Sequence, residues 1–598
     1  MGSIMAMTNL EIAELLRKVA AAYQILEENR FKIIAYERAA DSIEQLTREV
    51  KDLWDDGKLS DIPGVGQSIA SALDELFKTG KVKHFDSILG KLPASVYPLL
   101  LVPGVGPKKA YKLVTTLKLT NEKTIIADLE TAAKANKIAV IEGFGEKSQA
   151  DILANLQTYK RGAIKENRMA LPLADQVARD VMDFLRSVPG MVHIDTLGSL
   201  RRQVATIGDI DIAVATTKPE PVIEKFVTYP HQKLIERGPT GASLLLHNGR
   251  QVDLRVQEPK AYGAMLQYFT GSKNHNIKLR SYGLEHGLSL NEYGIKDVKT
   301  GKLKTYETEA AFYGALKLEW IPPEIREDRG EIEAAKAHAL PKLAEPSDIK
   351  GDLHIHSSYD LEPSHDLGAD SMETMLDMAD ALGYEYVGFS DHNPSIGNHS
   401  ETQIVAIMKK RQEWYTVHHA AWKKKTKKNV GMFVMCEVDI LPDGKLALPD
   451  AAFPYVDAVV VSIHSSFTQP RAEMTARVVK ALTAHEKVRI FGHPTGRLLG
   501  KREGVELAWD TVFDVCKKRD IALEINAYPD RLDLPDTVVY DARKKGLTFC
   551  IDTDAHAAEH MKLSPYGVSV ARRGWLTKYD IVDALEYNAF RKWLLKGA

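Results

Sequence analysis

The chain has 598 residues, of which 44% are hydrophobic, and 79 Lys and Arg stand against 81 Asp and Glu for a formal net charge of −2. This length exceeds a single hydrophobic core, so about three to five structural units are expected. No apolar run approaches the roughly 18 residues of a membrane span, and the three cysteines form no CxxC pair, so we expect no membrane partner and a reducing, cytoplasmic setting. Because the charge is balanced, any basic surface for nucleic acid must be local.

A weak internal repeat follows a run of amphipathic helices that begins near residue 8. Its copies are "SDIPGVGQSIASAL" (60–73), "LLVPGVGPKKAYKL" (100–113) and the more degenerate "AVIEGFGEKSQADIL" (139–153). Each copy joins a Gly-x-Gly turn to a new helix, whose free N–H groups can bind a phosphate. One such turn has no special meaning, but three in succession resemble helix-hairpin-helix motifs, which bind a DNA backbone. We therefore predict two helical DNA-binding regions, 1–90 and 91–164, with Gly64, Gly66, Gly104 and Gly106 at the DNA.

Paired acids mark the next region, which begins at residue 165 and mixes helix "LADQVARDVMDFLRSV" with strands "IDTLGSL", "DIDIAVAT" and "LLLHNGRQVDLRV". Asp209 and Asp211 share one face of a predicted strand, and Asp253 lies within another. An exposed strand with alternating acids would explain the pair alone. The upstream "GSLRR" instead favours a phosphoryl-transfer site, because it offers a turn, a hydroxyl and two guanidiniums for triphosphate oxygens. Three carboxylates suffice for a two-metal site with Mg²⁺ or Mn²⁺.

Four motifs in this region, "GSLRR", "GDIDIAV", "VDLRV" and "YFTGSKNHNIKLR", resemble the family X DNA polymerases, the group that includes polymerase beta. The resemblance covers residues 8 to about 320 and implies a nucleotidyltransferase-type palm at 165–255 and a nascent-base-pair-binding subdomain at 256–325. It makes Asp209, Asp211 and Asp253 the catalytic metal ligands, with Asp253 placed to activate the primer 3′-hydroxyl. It also implies nucleotide contacts by Gly198, Ser199, Arg202, Gly208, Tyr268, Phe269, Gly271 and Asn276, and DNA contacts by Arg255 and Arg280.

One departure from that family concerns the removal of 5′-deoxyribose phosphate. In polymerase beta a lysine on the helix after the first hairpin forms a Schiff base for this reaction. The corresponding helix here, "GVGQSIASALDEL", has Ala72 at that position, and the nearest lysines are Lys78, Lys81 and Lys83. The resemblance therefore does not support a lyase that uses the same residue.

The last part of the chain follows a polar, Pro-punctuated stretch at 326–347, which predicts a linker with a short helix. Seven strand-like runs then alternate with helix-length segments from 348 to 598: "GDLHIH", "YVGFSDH", "MFVMCEVD", "AVVVSIH", "RIFGHP", "IALEINA" and "FCIDTDAH". Repeated β-then-α units predict a parallel barrel whose chemistry lies at the strand ends. A lone histidine is usually a core residue, but six of the seven strand ends carry His, Asp or Glu.

This half resembles the PHP (polymerase and histidinol phosphatase) domain, a seven-stranded βα barrel with a trinuclear metal centre. The resemblance leaves Asp360 and Asp366 competing for an acidic loop position, with Asp366 favoured because it lies just before the next helix. Mixed imidazole and carboxylate ligands suit a cluster of Mn²⁺, Zn²⁺ or Fe²⁺. The implied ligands are His354, His356, Asp366, His392, Glu437, His464, His493, Asp554 and His556.

Together the halves match bacterial and archaeal family X members, in which a beta-like polymerase precedes a PHP nuclease. The expected fold is thus multidomain α+β and α/β, with a helix-hairpin-helix region, a palm and a βα barrel. We expect a DNA-repair enzyme that fills short gaps and trims 3′ ends. Its partners would be gapped or primed DNA and dNTPs, and it would be a monomer at the nucleoid of a prokaryotic cytoplasm.

Two other functions stay open from the sequence. The first is a DNA-end-binding scaffold with lapsed catalysis, against which the complete aspartate triad argues. The second is a barrel that acts on a small phosphoester, as in histidinol phosphatase. The basic run at 409–429 also has two interpretations, a DNA-facing helix or a solvated helix face.

Overall fold

The computed structural model describes residues 7, 9–44, 50–55, 57–62, 64–102, 105–122, 124–160 and 168–596. Its internal contacts divide the chain into two compact units, Met1–Glu166 and Asn167–Ala598. None of the helices in these described ranges combines the length and the apolar character that crossing a bilayer would require.

The first unit is helical where it is described. Gly66 and Gly106 are the N-cap residues of two helices and have extended backbone angles, as the repeated Gly-x-Gly turns predict. Gly64 has a φ of +81°, which a glycine adopts without strain, whereas Gly104 lies outside the described residues. The helices are α1 Asn9–Ile25, α2 Arg30–Glu44, α3 Val50–Asp55, α4 Gln67–Thr79, α5 Lys83–Leu89, α6 Val96–Leu99, α7 Pro107–Leu117, α8 Ile125–Lys134 and α9 Glu146–Lys160.

The second unit begins with a five-stranded sheet of order β2-β4-β7-β6-β5, in which only the central β4–β7 pair is parallel. A two-stranded β1–β3 pair lies beside it in the chain. The strands are β1 Met169–Ala170, β2 His193–Thr196, β3 Thr206–Ile207, β4 Ile210–Ala215, β5 Lys233–Gly238, β6 Gly241–Leu245 and β7 Gln251–Gln257; the helices are α10 Leu171–Leu185, α11 Gly198–Arg201 and α12 Pro219–Val227.

Two predicted strands of this sheet were wrong in extent. The run "IDTLGSL" is strand only to Thr196, because Gly198 begins the one-turn helix α11. The run "LLLHNGRQVDLRV" is a hairpin, since the Asn248-Gly249 turn separates β6 from β7, with Gly249 at a φ of +75°. Asn-Gly is a frequent turn pair in such hairpins.

A three-stranded antiparallel sheet of order β10-β9-β8 follows, packed with helices α13–α16 around one core. The predicted short helix of the linker exists as α16, but the stretch is packed, because the side chains of Arg326 and Glu331 are buried. The bounds are α13 Tyr262–Thr270, α14 Lys273–Glu285, β8 Leu288–Asn291, β9 Gly294–Asp297, β10 Leu303–Lys304, α15 Glu309–Ala315 and α16 Glu331–Lys336.

The rest of the unit is a parallel seven-stranded barrel in which β11 to β17 follow chain order. The barrel nearly closes, since Ile355 forms a parallel bridge to Ala555 and Asp552 accepts a hydrogen bond from the Leu353 N–H. The bounds are β11 Gly351–Ile355, α17 Met372–Ala381, β12 Tyr386–Phe389, α18 Glu401–Thr426, β13 Gly431–Asp439, β14 Ala458–Ser462, α19 Arg471–Leu482, β15 Val488–Phe491, α20 Trp509–Arg519, β16 Ala522–Asn526, α21 Asp536–Lys544, β17 Phe549–Asp552, α22 Ser564–Arg573 and α23 Tyr587–Leu594.

All seven predicted barrel strands are present, and polar residues lie at or near the carboxyl end of each strand. The basic run at 409–429 lies mainly on α18, a 26-residue helix. Arg411 is buried there and pairs with Asp391 at 2.7 Å, whereas Lys424 and Lys425 are partly or fully exposed. The run therefore anchors the helix at one arginine and leaves lysines toward solvent.

Candidate active sites

The first site lies at the centre of the five-stranded sheet, where three aspartates meet. Asp211 of β4 pairs in register with Asp253 of β7, and Asp209 immediately precedes β4. One carboxylate oxygen from each of the three lies within 4.8 Å of the others. Burial, followed by the neighbouring carboxylates, raises the pKa of Asp211, and burial raises that of Asp253. Divalent cations would remove this repulsion, so the donor set fits such ions.

The short helix α11 packs against these carboxylates. Gly198 has a φ of +56°, and a Cβ there would lie 2.6 Å from Oδ2 of Asp211, so only glycine fits. Ser199 lies on α11 and Arg202 directly follows it. Gly208 lies next to Asp209, and a Cβ on it would lie 3.2 Å from an Arg168 guanidinium nitrogen.

The two arginines of "GSLRR" do not act together, contrary to the sequence-based expectation. Arg201 forms two bonds to the Glu309 carboxylate, at 2.9 and 2.6 Å, and this ion pair is mostly buried. Burial would raise the pKa of Glu309, but Arg326 and Arg201 lower it to about 2. Arg202 instead contacts Glu327 at 3.1 Å and donates to the Thr270 carbonyl. The Arg202 guanidinium therefore lies against Gly271, where a Cβ on that glycine would lie 2.9 Å from Nη1 of Arg202.

The residues predicted to contact the sugar and the nascent base pair cluster at the end of α13. The Tyr268 and Phe269 rings pack edge to face at 4.9 Å, and the Arg255 guanidinium lies 3.9 Å from the centre of the Phe269 ring. Asn276 donates to the Tyr268 carbonyl at 2.7 Å and accepts from Gln267 at 2.9 Å. The structure thus joins Arg255 to this group, while Arg280 lies one turn further along α14 than Asn276.

The second site occupies the carboxyl ends of the barrel strands and centres on Glu437 of β13. Its oxygens contact Nδ1 of His392 at 2.9 Å, Nε2 of His354 at 3.1 Å, Nε2 of His493 at 2.9 Å and Nε2 of His464 at 3.3 Å. His356 Nε2 lies 3.3 Å from Asp554. His356 and His556 stack at 4.1 Å between ring centres. The structure therefore gathers the strand-end residues that the sequence singled out into one cluster.

Two aspartates were candidates for the acidic position in the loop after β11, and one of them reaches this cluster. Asp366 lies 3.6 Å from Nε2 of His392 and 3.4 Å from Nε2 of His556. Asp360 instead accepts a hydrogen bond from the backbone N–H of Glu362. The geometry therefore favours Asp366.

The cluster fits metal ions because several of its buried nitrogen and oxygen atoms have free lone pairs. Among the described residues, Nε2 of His354, both ring nitrogens of His356, Nδ1 of His392 and Oε2 of Glu437 are buried and lie near one another without forming a hydrogen bond. Burial lowers the pKa of His356 to about 3, so its ring is neutral, as a metal ligand must be. Burial opposes the ionised form of Glu437, yet His354, His392 and His464 hold its pKa well below the usual range. Several imidazoles and carboxylates with open lone pairs suit a cluster of divalent cations.

Four further residues of this site were missed by the sequence reasoning. Glu524 accepts from Nδ1 of His354 at 2.6 Å, and Asp439 accepts from Nδ1 of His464 at 2.7 Å. His365 contacts Asp439 at 3.0 Å, and Arg531 contacts Asp554 at 3.4 Å. A charged residue inside the apolar run "IALEINA" was the available signal for Glu524. Such carboxylates fix the tautomer and orientation of ligating imidazoles.

Sequence models of known domain families match four segments of the chain. They are a helix-hairpin-helix domain at 7–82, a SAM-like helix-hairpin-helix tandem at 97–158, the DNA polymerase beta thumb at 265–327 and the PHP domain at 352–528. The thumb segment begins within α13 and contains α14 and α15, and the PHP segment begins within β11 and contains β12 to β16.

Three proteins of known function show similarity over long stretches. The Bacillus subtilis DNA polymerase/3′-5′ exonuclease PolX is 33% identical over 96% of this chain and 97% of its own length. DNA polymerase lambda from Rattus norvegicus is 23% identical, and that from Arabidopsis thaliana 25%; each match covers 53% of this chain, and 56% and 62% of the respective relative. Because the first match is 33% identical and spans nearly all of both proteins, the chain belongs to the PolX family.

Proposed function

We propose that this protein is a DNA-directed DNA polymerase that fills short gaps during DNA repair, and that its barrel is a metal-dependent 3′-5′ exonuclease. The observation that carries the proposal is the presence of two separate ligand clusters on one compact unit, one in a mixed sheet and one at the mouth of a barrel. The similar Bacillus subtilis protein is named for both activities. Intact clusters argue against a scaffold with lapsed catalysis.

In the first site, Asp209, Asp211 and Asp253 would hold Mg²⁺ or Mn²⁺. Bound there, the ions would stabilise the attacking and leaving oxygens of nucleotidyl transfer. Asp253, which is buried in the sheet, would accept the proton of the primer 3′-hydroxyl. Ser199 and Arg202 bind the β- and γ-phosphates of the nucleotide, and Gly198 and Gly208 let the backbone approach it closely. Tyr268, Phe269 and Gly271 flank its sugar. Asn276, Arg255 and Arg280 contact the base pair and the template.

In the barrel, a set of nine residues would hold Mn²⁺, Zn²⁺ or Fe²⁺ in a cluster of three ions. Such ions bind a phosphate and lower the pKa of a water that becomes the nucleophile. Glu524 and Asp439 orient the imidazoles of His354 and His464 through their Nδ1 atoms. The nine residues are His354, His356, Asp366, His392, Glu437, His464, His493, Asp554 and His556.

The DNA is held in part by the hairpin glycines Gly64, Gly66 and Gly106, which precede helices whose N–H groups can bind a backbone phosphate. We propose the same role for Gly104. Binding there requires no base sequence, as gap filling at varied positions demands. The substrates would be gapped or primed DNA and dNTPs, the protein would act as a monomer, and its action on the chromosome would place it at a prokaryotic nucleoid.

The test is a pair of substitutions assayed on gapped DNA for both activities. Asp209→Ala should abolish nucleotide addition, because it removes a carboxylate from the metal set, and should leave 3′ digestion intact. His464→Ala should do the reverse, by about 100-fold in Mn²⁺-dependent digestion. The hairpins are untouched, so DNA binding by both variants should match the wild type.

The outcomes separate the alternatives. Loss of both activities in either folded variant would contradict two independent sites. If wild-type protein extends primers but hydrolyses only a small phosphoester, the exonuclease part of the proposal fails. Extension at the wild-type rate by Asp209→Ala would refute the polymerase assignment of that residue.

A further inference from the structure

One arginine from the barrel half reaches the predicted nucleotide site of the polymerase half. Arg573 is the last residue of α22, and only 5% of its side chain is exposed. Its Nη1 donates to the backbone carbonyl of Arg202 at 2.8 Å and lies 3.1 Å from Oε1 of Glu327. Its Nη2 pairs with Asp536 at 3.1 Å. One guanidinium thus ties a barrel helix to both the backbone of Arg202 and its carboxylate partner.

The same Glu327 oxygen accepts from Nε of Arg202, also at 3.1 Å. On the other side, Asp536 contacts Arg329 at 3.3 Å in addition to Arg573. Charges therefore alternate along a row of Arg202, Glu327, Arg573, Asp536 and Arg329, with three guanidiniums and two carboxylates. The row carries one net positive charge, and Arg202 at its end directly follows α11, whose Gly198 lies against Asp211.

We propose that Arg573 is a positioning residue for the nucleotide site of the polymerase, acting through Glu327 and the backbone of Arg202. This inference rests on the proposed polymerase function and on the binding of dNTP phosphates by Arg202. Without Arg573, Glu327 would neutralise Arg202 as an isolated ion pair. When Arg573 shares that carboxylate, Glu327 cancels less of the positive potential of Arg202, which then attracts a triphosphate more strongly. The site is mostly buried, so its charges are weakly screened.

Neighbouring contacts show that α22 is seated firmly against this region. Ser569 donates to the Gln203 side chain at 3.1 Å, and Tyr566 donates to Asp175 of α10 at 2.9 Å. Arg572, next to Arg573, instead pairs with Glu324 and Glu345, each at 2.8 Å. Arg572 therefore shares the interface but does not touch Arg202 or Glu327 through any of these pairs, which makes it the matched control.

The experiment compares Arg573→Met with Arg572→Met in the full-length protein, by steady-state gap filling with varied dNTP. Arg573→Met should raise the KM for dNTP about five-fold or more while kcat stays within about two-fold, since the loss falls on phosphate binding. Arg572→Met should leave the KM at the wild-type value. Both variants should keep wild-type 3′ digestion, because neither residue lies in the barrel cluster. Glu327 and Asp536 each retain another arginine in Arg573→Met, so no carboxylate is orphaned.

A second measurement tests whether the effect passes through Glu327. Arg573→Lys keeps the charge but replaces the planar fork of the guanidinium by a compact ammonium, so its KM should lie between those of the wild type and Arg573→Met. In a Glu327→Gln background the further effect of Arg573→Lys on KM should shrink, because only the bond to the Arg202 carbonyl then remains; fully additive effects would overturn the proposal. So would an unchanged KM in both Arg573 variants, or an equal rise in Arg572→Met. If the wild type itself adds no nucleotide, the proposed function fails instead.

Discussion

At the residue scale, the barrel site depends on side chains that hold its histidines as well as on the histidines themselves. Glu524 is fully buried and contacts Nδ1 of His354, which leaves Nε2 to face the cluster. Glu524→Gln keeps the shape but removes the charge that supports the imidazole. We expect the apparent affinity for Mn²⁺ in 3′ digestion to fall about ten-fold, with activity restored by excess Mn²⁺. Titration of digestion against Mn²⁺ measures this.

The control for that substitution is Glu385→Gln. Glu385 precedes β12, at the opposite strand end from the cluster, and pairs with Lys350 at 3.4 Å. The Mn²⁺ dependence of 3′ digestion by the Glu385→Gln protein should equal that of the wild type. A Glu524→Gln protein with unaltered Mn²⁺ dependence would show that the carboxylate has no role in holding the metals.

Residue positions were predictable where backbone geometry is simple. His354 and His356 are two residues apart on a strand, so the sequence predicts that they share one face of the sheet. The sequence reasoning placed both guanidiniums of "GSLRR" at one triphosphate, but Arg201 ends the one-turn helix α11 and Arg202 follows it, so the two side chains point in different directions. One therefore pairs with Glu309 and the other with Glu327. Glu524 was missed because its role depends on His354, a partner 170 positions away.

At the scale of elements, helix α11 packs closely against strand β4 because it has a glycine, Gly198, at the point of contact. A Gly198 Cβ would lie 2.6 Å from Oδ2 of Asp211, so Gly198→Ala must displace that carboxylate. We expect gap filling to fall about 100-fold, since small misplacements of catalytic groups have large effects on rate. Digestion by the barrel should be unchanged. Both rates are measured on the same gapped DNA.

Gly190→Ala separates the clash from backbone strain. Gly190 also has a positive φ, of +84°, but a Cβ there would meet nothing within 4 Å. Both substitutions impose the strain of a left-handed conformation on alanine, and only Gly198→Ala moves Asp211. Equal losses of gap filling in the two variants would show that strain, rather than the displaced carboxylate, lowers the rate.

The elements themselves were predicted best in the barrel. Each of its strands is a short apolar run with a polar residue at or near its end, and the parallel order follows from the regular alternation with helices. In the mixed sheet, β6 and β7 were merged because "LLLHNGRQVDLRV" is apolar on both sides of its turn. The Asn248-Gly249 pair was the signal that separates them.

At the scale of the whole molecule, the stretch predicted as a linker is part of the packed interior. Arg326 is buried against Glu309 at 2.7 Å, and Glu331 is buried against His275 at 2.7 Å. Composition alone indicates prolines and charges, but not the partners that bury them. The residues from Asn167 to Ala598 consequently form one compact unit that contains both ligand clusters.

Two sites on one unit have a kinetic consequence, because one 3′ end cannot occupy both. We expect the wild-type protein, given primed DNA and the next correct dNTP, to add and remove the same nucleotide repeatedly and so convert dNTP to dNMP. An excess of unlabelled trap DNA, added after binding, should leave the first cycles intact, since the end passes between sites without release. An equal mixture of Asp209→Ala and His464→Ala proteins should also produce dNMP, but only until the trap is added. In the mixture the 3′ end must dissociate from one molecule and bind another, and the trap captures it on the way. Production of dNMP that the trap abolishes equally in the wild type and in the mixture would show that the two sites act as separate enzymes despite their shared unit.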